Sequence, residues 1–241
     1  YQRDMRSLRG VVQTRWRFDA STVFEGGVYS TWKELDHPIF QVIDQESRNW
    51  GAFGRIDWNG QLFGREADAF YGLSYRSGDL DANQWVNNRG SRGSQTAKSR
   101  QNAKGLDVFA EGRVFLSDSF ALVGGASYGK AERDYQSFAL AGVPTTFNLT
   151  TGKDYDWVAP RIGAIWQNDA GAQVYANLTR SVEPPNFGSL SPTAGGFQPL
   201  QPQEARTPVS TSPNAGTPFQ VSAIAPPQRY SIRVPLSVGK R

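Results

Sequence analysis

The stretch that decides the fold is residues 8–19, which read LRGVVQTRWRFD. One set of alternate positions carries Leu8, Gly10, Val12, Thr14, Trp16 and Phe18. The other set carries Arg9, Val11, Gln13, Arg15, Arg17 and Asp19. A helix would scatter both sets around its axis, because its period is 3.6 residues. A strand places each set on one face, so the pattern predicts a β-strand with an apolar and a polar face.

The same alternation recurs in seven further segments: 24–33, 50–58, 67–76, 106–114, 120–128, 158–167 and 172–179. Most are longer than the five or six residues usual in soluble strands, and they approach the roughly nine to eleven that cross a bilayer. Aromatic residues cluster toward the ends of the apolar faces, as membrane barrels require. Residues 6–182 are therefore predicted to form about eight strands of an all-β, antiparallel up-and-down transmembrane β-barrel, here a partial one. The residues predicted to face lipid are Leu8, Val12, Phe24, Val28, Ile56, Leu73, Val108, Leu122, Ile162 and Val174.

The predicted connections alternate between short and long. Short turns fall at 19–21, 59–65, 117–119 and 168–171; long links fall at 36–47, 78–102, 135–154 and after 183. Outer-membrane barrels show this asymmetry, with short turns at the periplasmic end and long loops outside.

Composition excludes several other classes of protein. The chain has no cysteine, so it forms neither disulfides nor thiolate metal sites. Its only histidine, His37, lies next to Pro38, which argues against a protein-held metal site or a hydrolytic triad. We expect no cofactor and no enzymatic activity.

Basic residues occur in two settings. The run from Arg89 to Lys104 contains five cations and no acid, but no aromatic residues for base stacking. A solvated loop that touches lipopolysaccharide phosphates or an anionic chelate explains it better than a nucleic-acid arm, and no nucleic-acid partner is expected. The arginines predicted on the inner face could guide an anionic chelate, but pairing with Asp57, Asp107 and Glu111 or with a plug is the stronger expectation. These arginines are Arg9, Arg15, Arg17, Arg55, Arg113 and Arg161.

Motifs near the end of the alternating region resemble TonB-dependent outer-membrane receptors. A PRIG segment begins at Pro160, a YANLTRS segment at Tyr175 and a PPNF segment at Pro184. The family has similar strands and a similar loop in this order, and Leu200 to Arg206 is similar to its next stretch. The resemblance covers about residues 1–207.

The resemblance implies a barrel of about 22 strands closed by a plug domain. It also implies a place in the outer membrane of a Gram-negative bacterium, among lipid and lipopolysaccharide. Transport of a ferric siderophore or similar scarce nutrient would be energised by the TonB complex through a plug that is not visible here. Candidate ligand contacts at the loop ends of strands are Arg48, Arg76 and Trp85.

The chain departs from the family pattern after Thr207. Eleven of the 14 prolines lie from Pro184 onward, and all seven tryptophans lie before it. We divide the chain into a barrel segment (1–183), an extracellular loop with the start of the next barrel stretch (184–207), and an irregular Pro/Ser/Thr-rich tail (208–241). The expected whole is a receptor fragment without plug and C-terminal strands. Two alternatives stay open: a passive porin-like barrel, and a soluble β-sandwich binding module.

Overall fold

A computed structural model shows one antiparallel sheet in which each strand pairs with its neighbours in sequence. It describes residues 3–168, 172–185 and 202–210. The predicted all-β, up-and-down fold is confirmed, with eight strands up to Glu183 and a ninth after it. Within the described ranges no helix is long or apolar enough to span a bilayer. The strands are β1 Asp4–Arg17, β2 Thr22–Pro38, β3 Gln41–Leu62, β4 Arg65–Asn88, β5 Ser91–Ser117, β6 Phe120–Ser137, β7 Leu149–Gln167, β8 Gln173–Glu183 and β9 Gln203–Ser210.

The register gives the sheet one apolar and one polar face. Residues directly opposite each other in a ladder share a face, and Val12 pairs with Val28, which pairs with Ala52. Following the pairs from strand to strand places Ile162 on β7 and its partner Leu178 on β8 on this same face. All ten residues predicted to face lipid lie on this apolar face. Seven of them are exposed and three, Phe24, Ile56 and Val174, are half-buried.

The apolar face packs against nothing in the described part of the chain. Val12 is 71% exposed and Ile162 is 64% exposed, although both are mid-strand aliphatic residues. A sandwich would bury them against a second sheet, and the described residues form a single sheet. The sandwich alternative is therefore wrong, and the exposed apolar surface fits contact with lipid.

Aromatic rings mark the two ends of an apolar band on this face. Trp50 and Trp58 lie eight positions apart on β3, and Phe120 and Tyr128 lie eight positions apart on β6. Eight strand residues span about 26 Å, close to the roughly 25 Å apolar height of outer-membrane barrels. We call the part of each strand that lies between the aromatic ends of its apolar face the apolar band; its limits shift along the sequence from strand to strand, because the strands of a membrane barrel are tilted.

The long links predicted at 36–47 and 78–102 are wrong. These segments are strand: β2 and β3 continue to a turn at residues 39–40, and β4 and β5 continue to a turn at 89–90. The third predicted long link, 135–154, shrinks to residues 138–148. The strands thus extend beyond the apolar band at one end, which we call the hairpin end. There polar residues occur on both faces, so the alternation that identified the strands inside the band is lost from the sequence.

Two hairpins turn on two residues that both have positive φ. These are Phe63 (54°) with Gly64 (73°), and Arg89 (55°) with Gly90 (95°). Positive φ at both central positions defines the type I′ turn, whose twist matches that of the flanking strands. The turn predicted over 59–65 is therefore shorter than expected, because β3 runs on to Leu62.

The sheet has two edges in the described part of the chain. β1 pairs only with β2, and β9 pairs only with β8. β9 continues three residues beyond the Thr207 boundary that the sequence suggested, to Ser210. Most of the predicted loop at 184–207 and the rest of the predicted tail lie outside the described residues.

Candidate functional site

Within the apolar band, the polar-face arginines of β3, β5 and β7 have acidic partners on the same face. Arg113 binds Asp68 at 2.6 Å, and Arg161 forms an ion pair with Glu111. Arg55 Nε donates to Asp57 Oδ1 at 2.8 Å, and its guanidinium also lies over the Phe70 ring. Three of the six arginines predicted on the inner face are therefore paired with acidic side chains. This agrees with the expectation that these arginines pair within the wall. The other three lie on β1, at an edge of the sheet, and no ion pair is formed by them within the described residues.

The three predicted ligand contacts are not brought together. Arg76 lies on the polar face, 3.4 Å from Asp107. Arg48 and Trp85 lie on the opposite face, beyond the apolar band: Arg48 is opposite Trp32, and Trp85 is opposite the fully buried Val42. The ligand-binding role of all three stays a prediction, and only Arg76 stands where the barrel interior would be.

Arg48 belongs to a small polar group at the top of the band. Its Nη2 lies 2.7 Å from Glu46 Oε1, which also accepts a hydrogen bond from Trp32 Nε1 at 2.9 Å. These hydrogen bonds, first from Trp32 and then from Arg48, hold the pKa of the Glu46 carboxyl below its ordinary value. The apolar ring of Trp32 lies at the end of the apolar band, and its N–H group binds Glu46 in the polar strand extension. Trp32 therefore links the two regions.

The basic run from Arg89 to Lys104 is not a solvated loop. It forms the turn and one arm of the β4–β5 hairpin, where most of its cations contact other side chains. Arg92 is the most connected, binding Asp36 at 2.6 Å and Asp44 at 3.0 Å. The remaining contacts are Arg100 with Asp81, Lys104 with Glu132, and Lys98 over the Phe138 ring. These cations join strands of the protein and are only partly available to an external anion.

Sequence reasoning missed a group of residues on the polar face just beyond the band. The register aligns Arg76, Gly105, Ala131 and Tyr155 in one row, and Gly78, Ala103, Arg133 and Lys153 in the next. Tyr135 and Trp157 occupy the flanking rows. The signal was available in the alternation of Lys153, Tyr155 and Trp157, but Lys153 fell in the link predicted over 135–154, and the other two fell between that link and the strand predicted from Val158.

No group of three or more histidine, cysteine, aspartate or glutamate side chains in the described ranges could hold a metal ion. His37 lies in β2, close to its end at Pro38. The described chemistry is that of ion pairs, amides and aromatic rings.

Residues 3–207 match the family described as TonB dependent receptor-like, beta-barrel. The chain belongs to this family. No curated protein sequence matches it. TonB-dependent receptors are transport receptors and not enzymes, and members of the family are outer-membrane β-barrels of Gram-negative bacteria.

Solved receptors share this fold at low sequence identity. The ferric-catecholate import receptor Fiu of E. coli K12 aligns with a TM-score of 0.68 at 14% identity, over 86% of this chain and 38% of its own. The siderophore receptor PiuA of Acinetobacter baumannii aligns with 0.67 at 10%, over 85% and 37%. The alcaligin outer-membrane receptor FauA of Bordetella pertussis aligns with 0.64 at 14%, over 85% and 32%. The chain thus spans well under half the length of each receptor.

Proposed function

We propose that this chain is barrel wall of an outer-membrane importer that takes up a ferric siderophore, or a similarly scarce nutrient, with energy from the TonB complex. The observation that carries the proposal is the two-faced sheet, with an exposed apolar band outside and paired charges inside, in a chain of the TonB-dependent receptor family. The three similar receptors are a ferric-catecholate import receptor, a siderophore receptor and an alcaligin receptor.

The orientation follows from the two ends of the sheet. The turns near residues 18–21, 63–64 and 118–119 lie at the level where the band ends, so they face the periplasm. The hairpin end then stands outside the cell, and the mouth of the barrel lies on its polar face. Of the predicted contacts, Arg76 is the one we propose for the ligand.

Lipid and lipopolysaccharide are the proposed partners of the apolar face. The band contacts acyl chains, and the charged extensions above it stand at the level of the lipopolysaccharide phosphates. Arg48 is more suited to this surface than to the ligand, because its side chain is 74% exposed on the outer face.

The test is uptake of radioactive iron by a strain whose own siderophore receptors are deleted, carrying the complete gene that encodes this chain. We expect iron-chelate uptake that stops when the inner-membrane proton gradient is collapsed or TonB is deleted. Uptake that continues in both cases would identify a passive porin-like barrel instead. Absence of uptake for every iron chelate offered would rule out the siderophore proposal.

A further inference from the structure

A groove with a volume of about 360 Å³ lies on the apolar face of β5, β6 and β7. Gly124 in this groove lies midway between Phe120 and Tyr128, the two ends of the apolar band on β6. The groove therefore runs from the middle of the band toward the end that faces the periplasm. The residues that line it are Gly112, Val114, Leu122, Val123, Gly124 and Ile162.

Two glycines form the floor of the groove. Gly112 on β5 is directly opposite Gly124 on β6. A Cβ added to Gly124 would meet no heavy atom within 4 Å, and one added to Gly112 would meet none closer than 3.7 Å. By contrast, a Cβ on the neighbouring Gly125 would stand 2.7 Å from Ala110 O. Glycine weakens a strand, and packing within the described residues does not require it at Gly112 or Gly124. The floor is therefore space that a ligand can fill.

The side chains beside the floor determine what can fill the groove. Leu122 and Ile162 are exposed apolar residues, and Ile162 is directly opposite Gly124. Water is stable in such a space only where it has two or more polar partners, which these side chains do not offer. A hydrocarbon chain gains van der Waals contacts with the same side chains. The groove therefore suits an acyl chain.

A cation stands at the lower end of the groove. Arg65, the first residue of β4, is exposed, and its Nη1 donates to the backbone oxygen of Leu116 on β5. Leu116 is two residues from Val114 in the groove, a distance of about 7 Å along a strand. Arg65 forms no ion pair with any carboxylate of the described residues. Its other N–H groups can therefore bind an anion at the membrane surface.

We infer that the groove and Arg65 form a site for one glycerophospholipid, with an acyl chain in the groove and the phosphate on Arg65. This inference rests on the lipid-facing assignment within the proposed function, and it adds one class of lipid at one place on the wall. Charge decides the class, because a diacylglycerol would fill the groove but would offer Arg65 no anion. Lipopolysaccharide phosphates would lie beside the hairpin end, at the opposite end of the band.

The experiment is native mass spectrometry of the complete receptor in detergent, titrated separately with dioleoyl phosphatidylglycerol, dioleoylglycerol and glycerol 3-phosphate. We expect one molecule of phosphatidylglycerol to bind about tenfold more tightly than dioleoylglycerol and than any further phosphatidylglycerol. Arg65→Gln is expected to remove this preference, because about tenfold is the loss typical of one charge-assisted contact. Arg65→Lys keeps the charge and is expected to retain part of the preference. Glycerol 3-phosphate is expected not to compete.

Gly124→Val tests the groove, since its side chain would occupy the floor without a clash. We expect it to weaken binding of both lipids several-fold. The matched control is Gly10→Val on the apolar face of β1, where an added Cβ also meets no heavy atom within 4 Å but no groove residue is near in register. The control for charge is Arg17→Gln, at the same end of the sheet as Arg65 but on the polar face. Both controls are expected to bind phosphatidylglycerol as the unaltered receptor does.

Equal binding of phosphatidylglycerol and dioleoylglycerol by the unaltered receptor would overturn the site. So would a loss in Arg17→Gln as large as that in Arg65→Gln, or a loss in Gly10→Val as large as that in Gly124→Val. Competition by glycerol 3-phosphate would identify a site for free phosphate and would also overturn the inference. None of these results bears on uptake of radioactive iron. Absence of uptake by a receptor that binds phosphatidylglycerol as expected would count against the importer proposal alone.

Discussion

At the scale of single residues, the two faces differ in how their charges are balanced. On the polar face inside the apolar band, Arg55, Arg113 and Arg161 each contact a carboxylate and remain only partly exposed. Such partly exposed pairs each contribute modestly to stability. Their larger effect is to hold the guanidinium groups of β3, β5 and β7 against the wall, where each positive charge is balanced by a carboxylate. On the apolar face of the band a charge would find no partner and would meet lipid.

Val28 tests the lipid-facing assignment. It lies midway between Phe24 and Trp32 on β2 and is 55% exposed on the apolar face. We expect Val28→Arg to cost about 2 to 4 kcal/mol of folding free energy in a bilayer, because the charge would sit in hydrocarbon. Unfolding by urea in lipid vesicles measures it. The control is Gln13→Arg on the polar face, beside Glu25, with an expected change within about 0.5 kcal/mol. Equal losses in the two variants would contradict the assignment.

Phe63 tests the turn geometry. A bulky residue at φ 54° bears the steric cost of the left-handed region, about 1 to 2 kcal/mol, which asparagine largely avoids. Since Phe63 is 94% exposed, little packing is lost on substitution. We therefore expect Phe63→Asn to stabilise the receptor by up to about 1 kcal/mol in thermal or urea unfolding. Phe40 is 96% exposed in another turn but is not among the residues with positive φ, so Phe40→Asn should bring no gain.

At the scale of elements, the hairpins continue well past the apolar band. β4 and β5 have 24 and 27 residues, more than twice what a bilayer crossing needs. The tips also contact one another: Asn87 donates to Ile39 O, and Gln41 donates to Thr96 at 3.2 Å. Arg92 on β5 reaches Asp36 on β2 and Asp44 on β3, neither of which borders its own strand. The β2–β3 and β4–β5 hairpins are therefore tied together at their tips.

Arg92→Ala tests this tie. Loss of both ion pairs should let the two tips separate more often, because local opening depends on few contacts at such exposed sites. We expect limited proteolysis at the turns near residues 39–40 and 89–90 to become several-fold faster on intact cells. Arg100→Ala is the control, since its ion pair with Asp81 stays within the β4–β5 hairpin. Proteolysis that is unchanged in Arg92→Ala would show that the backbone ladders alone hold the tips.

At the scale of the whole molecule, the decisive feature is the pair of open edges. β1 and β9 each leave one row of backbone N–H and C=O groups unpaired in the described sheet. Such groups cost several kcal/mol each in hydrocarbon, which is why membrane sheets close. We expect this 241-residue chain, placed behind a signal peptide, not to restore chelate uptake to a receptor-deficient strain under iron limitation. Growth restored to the level of the complete gene would show that a smaller closed barrel functions here.

The strands and their faces could be predicted from the sequence only where apolar residues alternate with polar ones. Val12, Val28 and Leu122 defined both the strands and their faces, because lipid contact demands apolar side chains at every second position. Glu46 and Arg92 lie on strands that stand in water on both faces, so no hydropathy signal separated them from a loop. Lys153 and Tyr155 were lost for the same reason. The pairing of Arg76 with Asp107 depends on register, which alternation alone does not determine.

Pairing between sequence neighbours alone has a consequence for how such a wall can change over evolutionary time. Each strand from β1 to β9 pairs its backbone only with the strands immediately before and after it, so a duplicated or deleted hairpin leaves the backbone register of the other pairs unchanged. The circumference can therefore grow or shrink by two strands without redesign of the remaining wall, since barrel diameter rises roughly linearly with strand number. Because each strand pairs only with its neighbours in sequence, the sheet can also grow one hairpin at a time. After each addition an edge strand with unpaired backbone groups is available to pair with the next hairpin.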